Sequence, residues 1–112
     1  MIKAPQDRTP DIEMGAENGV GKLTLDRLLT QNEKIQMFSV ATLEVGASVG
    51  YHQHVGNAES YYILEGEAEY ESDGEISTVK AGYVTYTPNG HSHGIKNTGD
   101  CPLKFIALII KE

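Results

Sequence analysis

The sequence predicts an all-β domain, a sandwich or barrel of about eight short strands. Three observations carry this. Glycine is frequent, 12 of 112 residues, and the glycines fall between short apolar runs, where a chain of strands needs its turns. β-branched residues and tyrosine are plentiful while tryptophan is absent. Turn signals also recur about every 8–12 residues. The length suits one domain with one core, and 39% hydrophobic residues are enough to fill it.

Residues 1–34 read as an N-terminal arm with one short strand, and residues 35–112 as the barrel. Pro5, Pro10, Gly15, Gly19 and Gly21 interrupt both helices and sheet ladders, so 1–22 is expected to be an arm or loop. KLTLDRLL (22–29) is a strand that packs on a partner subunit or closes an edge of its own barrel. In IQMFSVATLEV (35–45), Ile35, Met37, Ala41, Leu43 and Val45 alternate with polar residues, the period-2 pattern of a half-buried strand. Phe38 and Val40 break the polar face, so that face is partly covered as well. Gly46 and Gly50 are expected to bracket a turn.

SYYILEG (60–66) is an apolar strand ended by Gly66. In EAEYES (67–72) three glutamates alternate with Ala68, Tyr70 and Ser72, which gives one solvated acidic face. Asp73-Gly74 is a two-residue hairpin signal, EISTVK (75–80) returns antiparallel, and Ala81-Gly82 turns again. YVTYT (83–87) is stopped by Pro88-Asn89-Gly90, and HSHGIKN (91–97) runs into the turn TGDCP. LKFIALII (103–110) is apolar on both faces, so it is buried on both, against the barrel interior and against a second sheet or a partner.

The formal net charge is −7 and no Lys/Arg cluster opposes it, so nucleic acid and anionic membranes are not expected partners. Cys101 is the single cysteine, which rules out an internal disulfide and suits a reducing compartment. It has no basic neighbour to make it a nucleophile. The N-terminal segment has charges and prolines where a signal peptide needs apolar residues. No apolar run approaches the roughly 20 residues that span a bilayer. The expected location is the cytoplasm.

The chemistry gathers in two segments. His52 and His54 stand at i and i+2, so on an extended strand both imidazoles leave one face. Glu59 opens the next strand after a short reversal, and His93 arrives from a later one. Three imidazoles and one carboxylate suit one divalent transition metal, Mn, Fe, Co, Ni or Zn. The set is too nitrogen-rich for Ca or Mg and lacks a thiolate for Cu(I). Four protein ligands leave two positions of an octahedron for a ligand or substrate.

The full spacing is Gly46-x5-His52-x-His54-x4-Glu59-x6-Gly66, then Gly82-x5-Pro88-x-Gly90-x2-His93-x3-Asn97. In both segments the chain resembles the cupin superfamily, and within it the small single-domain bacterial cupins described as oxalate decarboxylase-like. The resemblance covers roughly residues 35–110. It implies a jelly-roll barrel, a metal held by His52, His54, Glu59 and His93, a structural role for Asn97 beside a turn, and a homodimer. The doubly apolar last strand and the arm also favour a dimer.

Around this set, His91 is either a base or fifth ligand beside the metal or a rim or turn histidine. Tyr61, Met37 and Phe105 are either pocket walls or core. The metal would serve an enzyme acting on a small oxygenated metabolite (a carboxylate, enediol or diketone) by decarboxylation, isomerisation or dioxygenation. The alternative is a binding or sensor module using the same pocket. The oxalate decarboxylases it resembles carry an arginine three residues before the first ligand histidine. Here that residue is Val49, so a carboxylate clamp falls to Arg27 or to a neighbouring subunit.

Overall fold

The computed structural model describes residues 1–112 and has two antiparallel sheets facing one another. Ten strands build them: β1 Asp11–Met14, β2 Lys22–Leu29, β3 Ile35–Leu43, β4 Ser48–Gln53, β5 Asn57–Glu65, β6 Glu67–Ser72, β7 Glu75–Lys80, β8 Val84–Thr87, β9 Ser92–Asn97 and β10 Leu103–Lys111. The larger sheet runs β1-β2-β3-β10-β5-β8 and the smaller β4-β9-β6-β7. This is the predicted jelly-roll barrel. The alternation read from the sequence sets the register. Ala41, Phe105 and Ile63 form one cross-strand row and Ser39, Ala107 and Tyr61 the next, all buried.

The turns follow their residue chemistry. Asp73 and Gly74 take φ of +49° and +87°, and the hairpin they close pairs Ser72 with Glu75. Gly46 turns at φ +81°. Gly50 was expected to bracket the same turn, but it lies inside β4. A Cβ there would stand 2.1 Å from the Glu17 carbonyl oxygen, so the residue serves close approach of two backbones rather than reversal. Val45 is exposed because β3 ends at Leu43, before it.

The arm is more ordered than its prolines and glycines suggested. It contains β1 and two 3₁₀ turns, Pro5–Asp7 and Ala16–Asn18. β1 pairs with β2, and β2 pairs with β3 of the same chain, so β2 extends its own barrel's sheet, with Leu23 and Leu25 in the core. Composition masked β1 because its side chains are all exposed and show no buried face. Two reciprocal ion pairs tie the arm to β2. Arg8 donates to Asp26 through Nε and a second nitrogen at 2.8 and 3.1 Å, and Arg27 Nε donates to Asp11 at 2.8 Å.

Asn97 closes the far end of the barrel. Its buried side chain donates to the carbonyls of Leu43 (3.1 Å) and Cys101 (2.9 Å) and accepts from the Gly99 amide (3.0 Å). Removing it leaves a buried and a part-buried carbonyl without their donor. Asn97→Ala is expected to lower stability by about 2–4 kcal/mol in urea unfolding. A change below about 0.5 kcal/mol would show that the turn holds without it.

Candidate metal centre

The two sheets each contribute to one cluster. His52 on β4 stands directly opposite His93 on β9, and His54 follows just past the end of β4. Its backbone is held there by the His91 carbonyl (2.9 Å) and the Gly90 amide (2.7 Å). Glu59 enters from β5 in the facing sheet. One donor atom from each of the four residues falls within 4.8 Å of the others. His54, Glu59 and His93 are buried, and His52 is half-buried.

Hydrogen bonds aim the imidazoles. His52 Nδ1 lies 2.7 Å from the Gly50 carbonyl oxygen, which can only accept, so Nδ1 carries the proton. His54 Nδ1 lies 2.7 Å from Asn57 Oδ1, whose amide nitrogen in turn donates to Gln36. His93 Nδ1 meets the Tyr70 hydroxyl at 2.9 Å, and that hydroxyl reaches Thr87 Oγ1 at 2.9 Å. With Nδ1–H donating in each ring, all three bare Nε2 atoms are left for the cluster, the arrangement that orients metal-bound histidines.

The separations test the fit. His54 Nε2 to His93 Nε2 is 2.9 Å, and Glu59 Oε1 is 3.1 Å from the first and 3.0 Å from the second. Around an ion with bonds of about 2.1 Å, neighbouring ligands stand about 3.0 Å apart in an octahedron and about 3.4 Å apart in a tetrahedron. The three separations among His54, Glu59 and His93 fit an octahedral divalent ion. In the absence of an ion, the protonation energies diverge. The hydrogen bond to Glu59 raises the His54 pKa against the cost of burial, while burial lowers that of His93. Burial pushes the Glu59 carboxyl up, but the two imidazoles outweigh it and the net displacement is downward.

A cavity of about 550 Å³ opens onto the cluster. Met37, Tyr61 and Phe105 line it, as the sequence suggested, and Phe105 and Tyr61 are core residues as well. The Tyr61 ring stacks on His93 at 5.0 Å between centroids, and burial holds its hydroxyl pKa well above the usual value. His91 is not brought to the cavity. It precedes β9, which begins at Ser92, so strand alternation does not set its direction. It lies half-exposed with Nδ1 2.6 Å from Asp73.

The sequence reading missed Glu13, Glu17, Gln31 and Gln36 on the cavity wall, as well as Tyr70 and Asn57 behind the imidazoles. Tyr70 carried a signal, being on the buried face of EAEYES. The arm residues carried none.

Residues 39–109 match the family described as Cupin domain, and the chain belongs to the cupin family. The chain is 37% identical over 113 residues to a Thermotoga maritima protein named oxalate-binding protein, covering 98% of this chain and 93% of the relative. A Thermotoga maritima crystal structure described as a predicted oxalate decarboxylase superposes with a TM-score of 0.94 at 36% identity over the whole of both chains. Over 75 residues the chain is 35% identical to the oxalate decarboxylase of Bacillus subtilis, spanning 20% of that protein. No helix is long and apolar enough to cross a membrane.

The His91–Asp73 pair yields a prediction separable from metal binding. The His91 hydrogen bond, helped by the Ser92 amide, lowers the Asp73 pKa from 3.8. Its stabilisation is therefore present above that value and lost as pH falls through the lowered native one. His91→Gln should show a lower Tm than the parent near pH 6, and the difference should shrink as pH drops below 3.8. It should still take up the parent's equivalents of Mn(II) or Co(II). Loss of that uptake would return His91 to the metal site.

Proposed function

We propose that His52, His54, Glu59 and His93 hold one divalent first-row transition metal, and that the centre binds a small chelating oxyacid of which oxalate is the simplest example. Such an ion is a Lewis acid that draws two ligand oxygens to its open positions. The carrying observation is that the four donors converge beside a cavity that His52, His54 and Glu59 line and whose wall also bears Arg27. Arg27 lies in the cross-strand row of Ser39 and Tyr61 and is held by Asp11, with both side chains more than half exposed. An arriving carboxylate could take the place of Asp11 on the guanidinium, whose planar fork suits it. Arg27 thus fills the place that Val49 leaves vacant. The names of the two oxalate-related relatives agree with this ligand class.

In this reading oxalate raises the Tm of the metal-loaded protein and leaves the metal-free protein unchanged. At a hundredfold excess over Kd the stabilisation is about 2.7 kcal/mol. Arg27→Gln should remove most of the shift while metal uptake persists. A shift that survives chelation of the metal, or is untouched by the substitution, contradicts it.

A second reading, turnover of the bound acid, is supported by the setting of the cluster, since buried His54 and Glu59 line a cavity. Formate and carbon dioxide appearing from oxalate, dependent on metal, would establish it. Binding without product would leave a binding module.

We also propose a homodimer through the outer face of the larger sheet. Val40, Ile106, Tyr62 and Val84 form one cross-strand row there, and Phe38, Leu108, Ser60 and Tyr86 the next. On this face Tyr62, Val84 and Tyr86 are 46%, 69% and 62% exposed. The strand β10 at its middle lets a two-fold axis match the patch with itself. Light scattering after size exclusion should give a dimer at micromolar concentration, and Leu108→Lys should give a monomer. A monomeric parent chain overturns the assignment.

A further inference from the structure

Glu17 occupies a backbone conformation that its own chemistry disfavours. In the segment GAENGVG (15–21), Gly15, Glu17, Asn18 and Gly21 all take positive φ, with Glu17 at 51°. Glycine does so freely and asparagine with little penalty, but a long side chain does so at a steric cost. The turn has no room to relax. Ala16 is buried in the core, and the Gly19 amide donates to its carbonyl at 2.8 Å. A Cβ on Gly19 or Gly50 would strike the facing backbone at 2.3 or 2.1 Å. A glycine at 17 would make the same turn without strain, so the turn alone gives no reason for glutamate.

Glu17 is exposed and lines the cavity together with His52, His54 and Tyr61. It forms none of the chain's ion pairs. Strained residues of this kind gather where a side chain serves a ligand.

We propose that Glu17 is a specificity residue of the cavity, accepting a hydrogen bond from the hydroxyl of a bound acid, so that 2-hydroxy acids are favoured over fully ionised dicarboxylates of similar size. The inference rests on the reading of the four donors as metal ligands. A hydroxyl drawn to a divalent ion becomes a stronger donor, and a carboxylate acceptor makes the bond charge-assisted. A second carboxylate in the same place meets Glu17 as a like charge. Oxalate enters against that repulsion, and glycolate does not.

The test uses the full chain loaded with Mn(II), and titrates glycolate and oxalate calorimetrically into the parent, Glu17→Gln and Glu17→Gly. Glu17→Gln should weaken glycolate at least tenfold and leave oxalate unchanged or tighter, with Mn(II) uptake intact. Glu17→Gly should show the same loss of preference together with a Tm raised by a few degrees, which separates relief of strain from loss of the carboxylate. If the two acids change by less than twofold, or move together in Glu17→Gln, the specificity role is wrong and the metal reading stands. If the parent takes up Mn(II) but binds neither acid, the ligand reading fails and this inference with it.

Discussion

Three imidazole nitrogens and one carboxylate oxygen are held close together inside this protein, and that concentration of lone pairs is the constraint around which the barrel is built. Lone pairs about 3 Å apart repel unless a proton or a cation lies among them. The protein holds them there by fixing each ring from behind, with a backbone carbonyl for His52, an asparagine for His54 and a tyrosine–threonine relay for His93. The two sheets also have to keep their spacing. Three donors belong to the smaller sheet and its continuation, and Glu59 to the larger. The packing of Leu103, Ile63 and Leu43 in the core therefore maintains the geometry of a site whose cavity none of them lines.

The arm is part of this arrangement. Gly50 is where the Glu17 backbone comes closest to β4, and its carbonyl is the acceptor that orients His52. A single residue thus receives the arm and aims a histidine of the cluster. Arg27 and Asp11 join the arm's first strand to β2 at the cavity wall. The cavity is walled on one side by the arm as well as by the barrel proper, so its chemistry is partly that of a segment with weak sequence patterning.

That division explains what could be read from the sequence. The strands β2, β3 and β5 to β10 were legible because short apolar or alternating runs mark them and because Asp73-Gly74 and Pro88-Asn89-Gly90 end them by turn chemistry, whereas Gly46 and Gly50 disguised β4 as a turn. The cluster was legible because strand alternation brings His52 and His54 together, while the two-segment spacing supplies Glu59 and His93. His91 shares parity with His93 but precedes the strand, so of its two readings the rim or turn histidine is the one its position favours. β1 and Glu17 had no periodic signature. A fully exposed edge strand has no buried face to reveal it, and a left-handed glutamate is visible only once the backbone is known. The Gly50 contact pairs residues more than thirty apart, and local sequence does not encode such a meeting.

Anomalous diffraction from crystals grown with Mn(II) tests the central claim most directly. The account predicts one peak per chain, with Nε2 of His52, His54 and His93 and a carboxylate oxygen of Glu59 all about 2.0–2.3 Å away and further positions open toward the cavity. An ordered cluster with no peak among the four side chains, or a metal bound elsewhere while His54 and Glu59 share only a proton, would contradict it.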